Sequence, residues 1–495
     1  MNSVRKIVKN SGASLLTQVS TPATSFVLVF IIAKFEGVYG LGIFSSALAI
    51  LYIFQAVASL GFQHLITREV AQDKAKASKF LVNASLLGCV FSILMAGVMC
   101  FVVNLITNNV ELIRAVYLLS ISLVPYTLGL VSQSISRGFE KLEHITMAVV
   151  TGNALKCIIG GFVLFQGYGF INLMFVVSGS HFIIFFISLY LILREVTEHQ
   201  KISAIDFIFC KWILRSAPVF ALIFVIAAVR MNINTVILTG MMGEREVGFF
   251  SAAYKLVNFF SIGIGFYILA IQPVIFRLFK SSLEKFRIVF TESIRYYFIL
   301  ILPVIVGTLI LSEKFILFIF KEEFLPSAIV LRILILLLIL NGFNQIFANV
   351  LIASDNQKVN LNGNIIGMVF NIGICLLLIP KFGFIGASVA NVASAFVTLI
   401  YQKNFVSRLL FKINYFQLAL KPAVAAALIG IFMFLLKDFD LILLMITATI
   451  VYSISLFVLK VFSDFDIEIL RKLWNGDKNF HKLSAQDGNF DKSGK

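Results

Sequence analysis

Long apolar stretches recur along the whole 495-residue chain, and short polar segments separate them. Most hold about 20 or more residues, the length that an α-helix needs to cross the hydrocarbon core of a bilayer. They are rich in Phe, Leu and Ile, and they lack the alternation over about ten residues that marks a transmembrane β-strand. We therefore predict an all-α integral membrane protein with about fourteen transmembrane helices. The predicted spans are 15–33, 41–61, 80–106, 112–135, 145–165, 171–193, 212–240, 247–276, 294–311, 325–352, 359–379, 384–401, 418–436 and 441–461.

The composition agrees with this pattern. Hydrophobic residues make up 59% of the chain and charged residues 13%, against about 25% charged residues in soluble domains. Mean hydropathy is +0.97. The basic start with Arg5, Lys6 and Lys9 leads into a long apolar run without a small-residue cleavage site, so we predict a retained first helix and not a signal peptide.

The Lys and Arg residues fall mainly in alternate loops. With the N-terminus in the cytoplasm, 30 of the 41 lie in cytoplasmic segments, 7 on the other side and 4 within spans. Positive charge in cytoplasmic loops sets the orientation of membrane proteins, so we predict that both termini are cytoplasmic. The net charge of +16 is then a topology signal and not evidence of nucleic-acid binding.

Two short sequences occur twice. GIFSSA at 42–47 is echoed by GFFSAA at 248–253, 206 residues later, and YGFI at 168–171 by FGFI at 382–385, 214 residues later. Six spans separate each pair, an even number, which predicts two parallel six-helix repeats plus two C-terminal helices. The predicted regions are an N-terminal lobe (1–200), a C-terminal lobe (201–412), helices 13 and 14 (413–465) and a cytoplasmic tail (466–495).

Four cations lie inside apolar stretches: Lys156, Arg230, Lys255 and Arg332. No Asp or Glu was expected at comparable depth. A charge near the bilayer centre costs about 2.5–3.5 kcal/mol even on lenient scales, so such residues usually face a water-filled cavity or a partner. We predict that Lys156, Arg230 and Lys255 bind an anion from outside the protein, whereas Arg332 begins its span and is predicted to be an interface residue.

Amide side chains recur at helical spacing within the spans. They have two interpretations, as hydroxyl partners of a sugar in a cavity or as hydrogen bonds that pack helices together. Gln55, Ser59 and Gln63 form one such stripe, and Asn360 shares a face with two others. The candidate substrate-binding amides are Asn153, Asn234, Asn341, Gln345, Asn349, Asn364 and Asn371.

Other chemistry leaves little trace. The five Cys residues show neither metal-ligand spacing nor a disulfide framework, so we predict no metal and no cofactor. His181 is interpreted as a packing group. No catalytic constellation is visible, and we predict a non-enzyme whose energy comes from the membrane potential or from groups at the cavity rim.

The segments GVYGLGIFS at 37–45, LGF at 60–62, TREVA at 67–71 and GFIGAS at 383–388 resemble the polysaccharide-biosynthesis branch of the MOP flippase superfamily, in particular O-antigen flippases of the Wzx type. The resemblance implies two six-helix lobes around a central cavity. It also implies an undecaprenyl-pyrophosphate-linked oligosaccharide as cargo, the bacterial inner membrane as location, and contact with membrane lipids and other polysaccharide assembly proteins. A flippase for lipid II or another lipid-linked glycan, or a multidrug exporter of the same superfamily, remains the alternative.

Overall fold

A computed structural model describes residues 2–409 and 413–461, and within them every regular element is helical. Two short 3-10 helices, Lys74–Lys76 and Glu322–Phe324, accompany the α-helices. The α-helices are α1 Asn2–Ala58, α2 Phe62–Gln72, α3 Ala77–Ile106, α4 Val110–Ser120, α5 Leu123–Gly138, α6 Leu142–Phe165, α7 Phe170–His199, α8 Phe207–Ser216, α9 Pro218–Met242, α10 Glu244–Ser281, α11 Leu283–Ile319, α12 Ser327–Leu334, α13 Leu336–Ala353, α14 Gln357–Leu409, α15 Tyr415–Leu435 and α16 Leu441–Val458.

The described residues contain twelve helical stretches that are long and apolar enough to cross a membrane. Two of them, of 47 and 52 residues, are long enough to cross twice, because about 20 residues suffice for one crossing. Each is broken by a glycine with positive φ, Gly37 in α1 (φ 67°) and Gly383 in α14 (φ 52°), a conformation that other residues rarely adopt. The prediction of fourteen crossings is confirmed.

Helix boundaries differ from the prediction at the seventh span. The predicted start at 212 is wrong, because Trp212 belongs to the separate short helix α8 and the crossing helix begins at Pro218. A proline disfavours helical geometry in the residue before it, and the chain breaks at Ala217. Trp212 instead stacks on Phe209, with ring centroids 5.5 Å apart.

The second half of α1 (38–58) crosses the start of α10 at a pair of glycines. A Cβ on Gly42 would collide with the carbonyl oxygen of Glu244, and a Cβ on Gly248 would collide with that of Val38. The contact is therefore reciprocal under an offset of 206 residues. Nearby, the Ser46 and Thr239 hydroxyls lie 2.7 Å apart, which joins α1 to α9 as well.

The described residues form two compact units, one within 1–289 and 312–411 and the other within 290–311 and 412–495. In the second unit, α15 and α16 pack on residues 290–311, and the Tyr452 hydroxyl donates to the Ile299 carbonyl at 2.8 Å. The tail predicted at 466–495 lies outside the described residues. The boundaries predicted for the two lobes stay a prediction.

Two ends of the first unit can be told apart by their connections. On the end where α1 begins, here called the N-terminal side, Gln200 after α7 donates to the Lys74 carbonyl at 2.6 Å. On the opposite side, Thr107 after α3 donates to the Glu244 carboxylate at 3.4 Å. These contacts position the cavity that is described next.

Candidate functional site

A cavity of about 380 Å³ opens among α1, α5, α9 and α10 in the first unit. Its volume lies within the range of roughly 300–1,000 Å³ that is usual for small-ligand sites. Its lining is mixed, with aromatic rings beside amides and one ammonium group. The lining includes Tyr52, Gln55, Ser59, Gln63, Tyr126, Leu130, Phe224, Met231, Asn232, Tyr254, Lys255 and Asn258.

Lys255 lines this cavity, and Lys156 lies close to it on α6. The two ammonium groups are near enough to repel one another. Neither forms an ion pair with any residue in the described part of the chain. Two like charges held together without a carboxylate attract a mobile anion.

Asn153 orients Lys156. The Lys156 Nζ donates to the Asn153 Oδ1 at 3.0 Å, and the Asn153 Nδ2 donates to the Thr21 hydroxyl at 3.2 Å. Asn153 is itself buried, with 5% of its surface exposed. This predicted site residue therefore lies beside its cation and also links α6 to α1.

Arg230 on α9 is held by a neutral partner. Its guanidinium donates to the Asn364 Oδ1 on α14, and the Asn364 Nδ2 donates back to the Asn360 carbonyl at 3.0 Å. The Asn360 Oδ1 in turn accepts from Gln402 at 2.9 Å. Arg230 also interacts electrostatically with Tyr254 of the cavity wall. An amide holds a cation without cancelling its charge, so Arg230 stays available to an anion.

His181 makes hydrogen bonds through both ring nitrogens. The Nδ1 donates to the Val177 carbonyl at 3.1 Å, which leaves Nε2 to accept from the Gln55 amide at 3.3 Å. The ring also meets Tyr126 edge-on, with centroids 5.9 Å apart. This geometry suits a neutral packing group, in agreement with its interpretation from the sequence.

Several predicted amides lie in helix contacts instead. Asn234 accepts from the Cys375 thiol at 3.3 Å, Asn371 donates to Ser394 at 3.3 Å, and Asn349 accepts from Gln272 at 3.1 Å. All three side chains are buried. Asn341 and Gln345 of α13 are exposed and are not among the lining residues of the cavity. The structure thus brings Lys156, Asn153, Lys255, Arg230 and Asn364 to the cavity region, and the other five predicted residues lie away from it.

Arg332 requires a correction. The expectation that no carboxylate lies at its depth is wrong, because its Nη2 donates to Glu313 at 2.8 Å and its Nε to the Ser312 hydroxyl at 2.7 Å. Both charged side chains are partly exposed, 41% for Arg332 and 58% for Glu313. Depth along one helix does not reveal a partner at the end of another. Its interpretation as a residue near the rim, apart from the cavity, fits this contact.

Arg137 is a cation that sequence reasoning missed, since it was counted as a loop charge. It lies in the last turn of α5, inside the fourth crossing (Val110–Gly138). Its Nη1 atom is buried and has no hydrogen-bond partner among the described residues. A signal was available: Tyr126 and Arg137 are eleven residues apart, which puts them on one face of a helix.

Cations on the N-terminal side behave differently. Glu69 of α2 accepts from Arg68 at 2.8 Å and from Lys76 at 2.9 Å, and Lys141 pairs with Glu195. Burial raises the pKa of Glu69, but the hydrogen bonds from Lys76 and Arg68 outweigh it and hold the pKa below its usual value. These charges are neutralised within the protein.

Fourteen helical crossings with an unneutralised cationic cavity define a polytopic membrane transporter. A sequence model of the family described as polysaccharide biosynthesis protein matches residues 7–279, more than half of the chain. The chain belongs to this family, and the resemblance predicted from its sequence is confirmed. A relative is the probable low-salt glycan biosynthesis flippase Agl15 of Haloferax volcanii, 27% identical over 128 residues, which cover 26% of this chain and 27% of that protein. The chain spans about a quarter to two fifths of the curated relatives that it matches.

Solved structures share the fold. The lipid II flippase MurJ in an inward closed conformation superposes with a TM-score of 0.74 at 16% identity, over 90% of this chain and 98% of MurJ. An inward-facing multidrug-resistance MATE transporter of the MOP superfamily gives a TM-score of 0.63 at 17% identity, over 80% of this chain and 98% of the transporter. The fold is therefore that of the MOP superfamily.

Proposed function

We propose that this protein is a flippase that moves an undecaprenyl-pyrophosphate-linked oligosaccharide, an O-antigen or related repeat unit, from the cytoplasmic to the periplasmic leaflet of the bacterial inner membrane. Both termini are cytoplasmic in this proposal. The observation that carries it is the group of cations at the cavity, Lys156, Lys255 and Arg230, none of which has a carboxylate partner among the described residues.

A lipid pyrophosphate needs such a group. Its clustered negative charge loses water and counter-ions when it enters the membrane, and ammonium and guanidinium donors replace them with charge-assisted hydrogen bonds. Lys156 and Lys255 repel each other, so an anion between them relieves a strain that is present without cargo. Arg230 adds a planar donor on α9 that exchanges Asn364 for a phosphate oxygen.

The cavity wall supports an oligosaccharide as the remainder of the cargo. Gln55, Ser59 and Asn258 offer donors and acceptors for hydroxyl groups, and Tyr52 and Tyr254 offer aromatic surface. Side chains of this kind line sites in which a few polar groups fix the orientation of a ligand against apolar walls. The sugar composition of the cargo depends on which of these contacts it uses.

Two lobes that rock about the α1–α10 crossing provide the transport step of the proposal. The reciprocal glycine contact supports them, because the carbonyl that faces each glycine is itself displaced by 206 residues from the other. Gly243, one offset after Gly37, also has positive φ, at 85°. Contacts that repeat in this way are those of a pseudo-twofold pair.

The relatives support the cargo class. Agl15 is named a glycan biosynthesis flippase and MurJ a lipid II flippase. Export of cationic drugs is disfavoured on charge grounds, because the charged side chain in the cavity lining is Lys255. Other polysaccharide assembly proteins are the expected partners.

Deletion of the gene tests the proposal. We expect an undecaprenyl-pyrophosphate-linked glycan to accumulate in the cytoplasmic leaflet and surface polysaccharide to disappear. Mass spectrometry of the extracted lipids identifies the glycan and separates an O-antigen unit from lipid II. Wild-type protein should restore the surface polysaccharide, and Lys156→Ala or Arg230→Ala should fail to do so at equal membrane abundance.

Absence of any accumulating undecaprenyl-linked species in the deletion strain would defeat the flippase assignment. Exposed Arg194, which pairs with Glu198 on the N-terminal side, supplies the matched control. Arg194→Ala removes a cation of the same kind outside the cavity and should complement fully.

A further inference from the structure

Arg137 has the features of a binding residue that the cavity cations do not account for. Its Nη1 atom is buried without a hydrogen-bond partner among the described residues. Leaving such a donor unsatisfied costs about 1–3 kcal/mol, and more when the group is charged. A retained cost of this size needs a compensating role.

The side chain of Arg137 extends towards the cavity. Side chains of a helix lean towards its N-terminus, so Arg137 in the last turn of α5 leans back along the face that carries Tyr126 and Leu130. Both of those residues line the cavity. Tyr126 interacts electrostatically with Arg137, which agrees with this direction.

The nearest carboxylates on the same side are already engaged. Glu69 accepts from Arg68 and Lys76, and Glu195 accepts from Lys141. No ion pair involving Arg137 occurs in residues 2–409 and 413–461. A ligand is then the source of the missing anion.

We propose that Arg137 forms an additional anion-binding site at the N-terminal-side end of the cavity, which takes the pyrophosphate group of the cargo before that group reaches Lys156 and Lys255. This inference rests on the proposed function. Eleven residues of helix separate Arg137 from Tyr126, about 16 Å along α5. Two cationic stations at that spacing divide the path of the anion into two shorter steps.

A guanidinium suits the first station. It stays charged when it is buried, and its planar fork binds two phosphate oxygens at once. It is also less strongly hydrated than an ammonium group, so it gives up water at lower cost when the cargo arrives. Lysines deeper in the cavity then receive the anion as point charges.

Binding to the purified full-length protein in lipid nanodiscs tests the inference, with undecaprenyl pyrophosphate and inorganic pyrophosphate as separate probes. Loss of one charge-assisted contact weakens binding by roughly 10- to 150-fold, and we expect at least the lower value for Arg137→Gln. Arg137→Lys should weaken binding less, because it keeps the charge and loses the fork. Arg194→Gln, outside the cavity, should bind like the wild type.

The two probes identify the source of the anion. Weaker binding of both by Arg137→Gln means that the pyrophosphate group alone is recognised, and weaker binding of the lipid probe alone means that the site recognises the lipid-linked group. Unchanged binding of both probes by Arg137→Gln, with weaker binding by Lys156→Gln, overturns the inference and leaves the proposed function standing. No binding of either probe by the wild type overturns both.

A second measurement uses the unaltered protein, in case Arg137→Gln does not fold. Phenylglyoxal modifies guanidinium groups, and peptide mass spectrometry reports each arginine separately. We expect inorganic pyrophosphate or the lipid probe to protect Arg137 and to leave Arg194 reactive. Equal modification of Arg137 with and without both probes contradicts the proposed site.

Discussion

Arg332 and Lys255 both lie within apolar sequence, yet they occupy opposite electrostatic situations. Arg332 donates to Glu313 and Ser312 near the end of α11 and is 41% exposed. Lys255 lines a cavity, has no ion pair among the described residues, and is repelled by Lys156. Arg332 is neutralised by the protein, whereas Lys255 waits for a charge from outside.

The comparison teaches that a cation in a membrane span marks a site only when its partner is missing. Paired charges at the rim contribute little to stability, about 0–1 kcal/mol. Unpaired charges at depth cost stability, and their retention indicates function. The two kinds of cation should therefore respond to mutation with opposite signs of stability and with very different losses of transport.

The largest effect is expected from the lysine pair. Lys156→Met and Lys255→Met each remove one charge-assisted contact to the anion, worth roughly 10-fold or more in binding, and the double variant should lose transport completely. Because each change also removes the repulsion between the two ammonium groups, the unfolding temperature should stay equal or rise. Proteoliposome transport and thermal unfolding in detergent measure the two quantities. A double variant that transports normally would contradict the assignment.

A second large effect is expected at Asn364. Asn364→Asp replaces the neutral acceptor of Arg230 with a carboxylate, and the resulting buried ion pair should hold the guanidinium and exclude the cargo phosphate. Asn364→Ala frees the guanidinium, so its loss of transport should be smaller than that of the aspartate variant. Exposed Asn404 on the same helix gives the control, Asn404→Asp. Equal transport by the two Asn364 variants would contradict the exchange of partners at Arg230.

Much of the fold follows from the sequence, because apolar length and positive φ at glycine are local properties. The fourteen crossings were predicted from apolar length alone, and the breaks at Gly37 and Gly383 agree with the predicted boundaries. The start of α9 was wrong because the apolar run continues through Trp212, and only the proline at 218 divides it. Short helices such as α8 carry no membrane-length signal.

Less of the site follows from it. Depth and helical phase indicated Lys156, Arg230 and Lys255, but the partner of a side chain depends on neighbouring helices. Asn364 and Asn371 both belong to the stripe predicted on α14, yet only Asn364 reaches Arg230, whereas Asn371 pairs with Ser394. Arg137 escaped notice because the loop count placed it outside the fourth span.

A small effect is expected at Arg332. Arg332→Ala breaks a partly exposed ion pair, so it should lower the free energy of unfolding by about 1 kcal/mol or less and leave transport near the wild-type level. Glu313→Gln should behave alike, since it removes the same pair from the other side. Transport and thermal unfolding, assayed as for the lysine pair, provide the measurement. A tenfold loss of transport in Arg332→Ala would remove the distinction between rim and cavity cations.

The smallest effect is expected at Glu69, which represents the neutralised charges of the N-terminal side. Burial raises its pKa, but the hydrogen bonds from Lys76 and Arg68 hold the pKa below the usual value, so the carboxylate contributes stability above its unfolded pKa of about 4.3. That contribution disappears as the pH falls through the folded pKa. Glu69→Gln should thus be less stable than the wild type at pH 7, by about 1 kcal/mol, and the two unfolding curves should converge as the pH is lowered below 4. Curves that stay apart at low pH would show that Glu69 acts through packing and not through its charge.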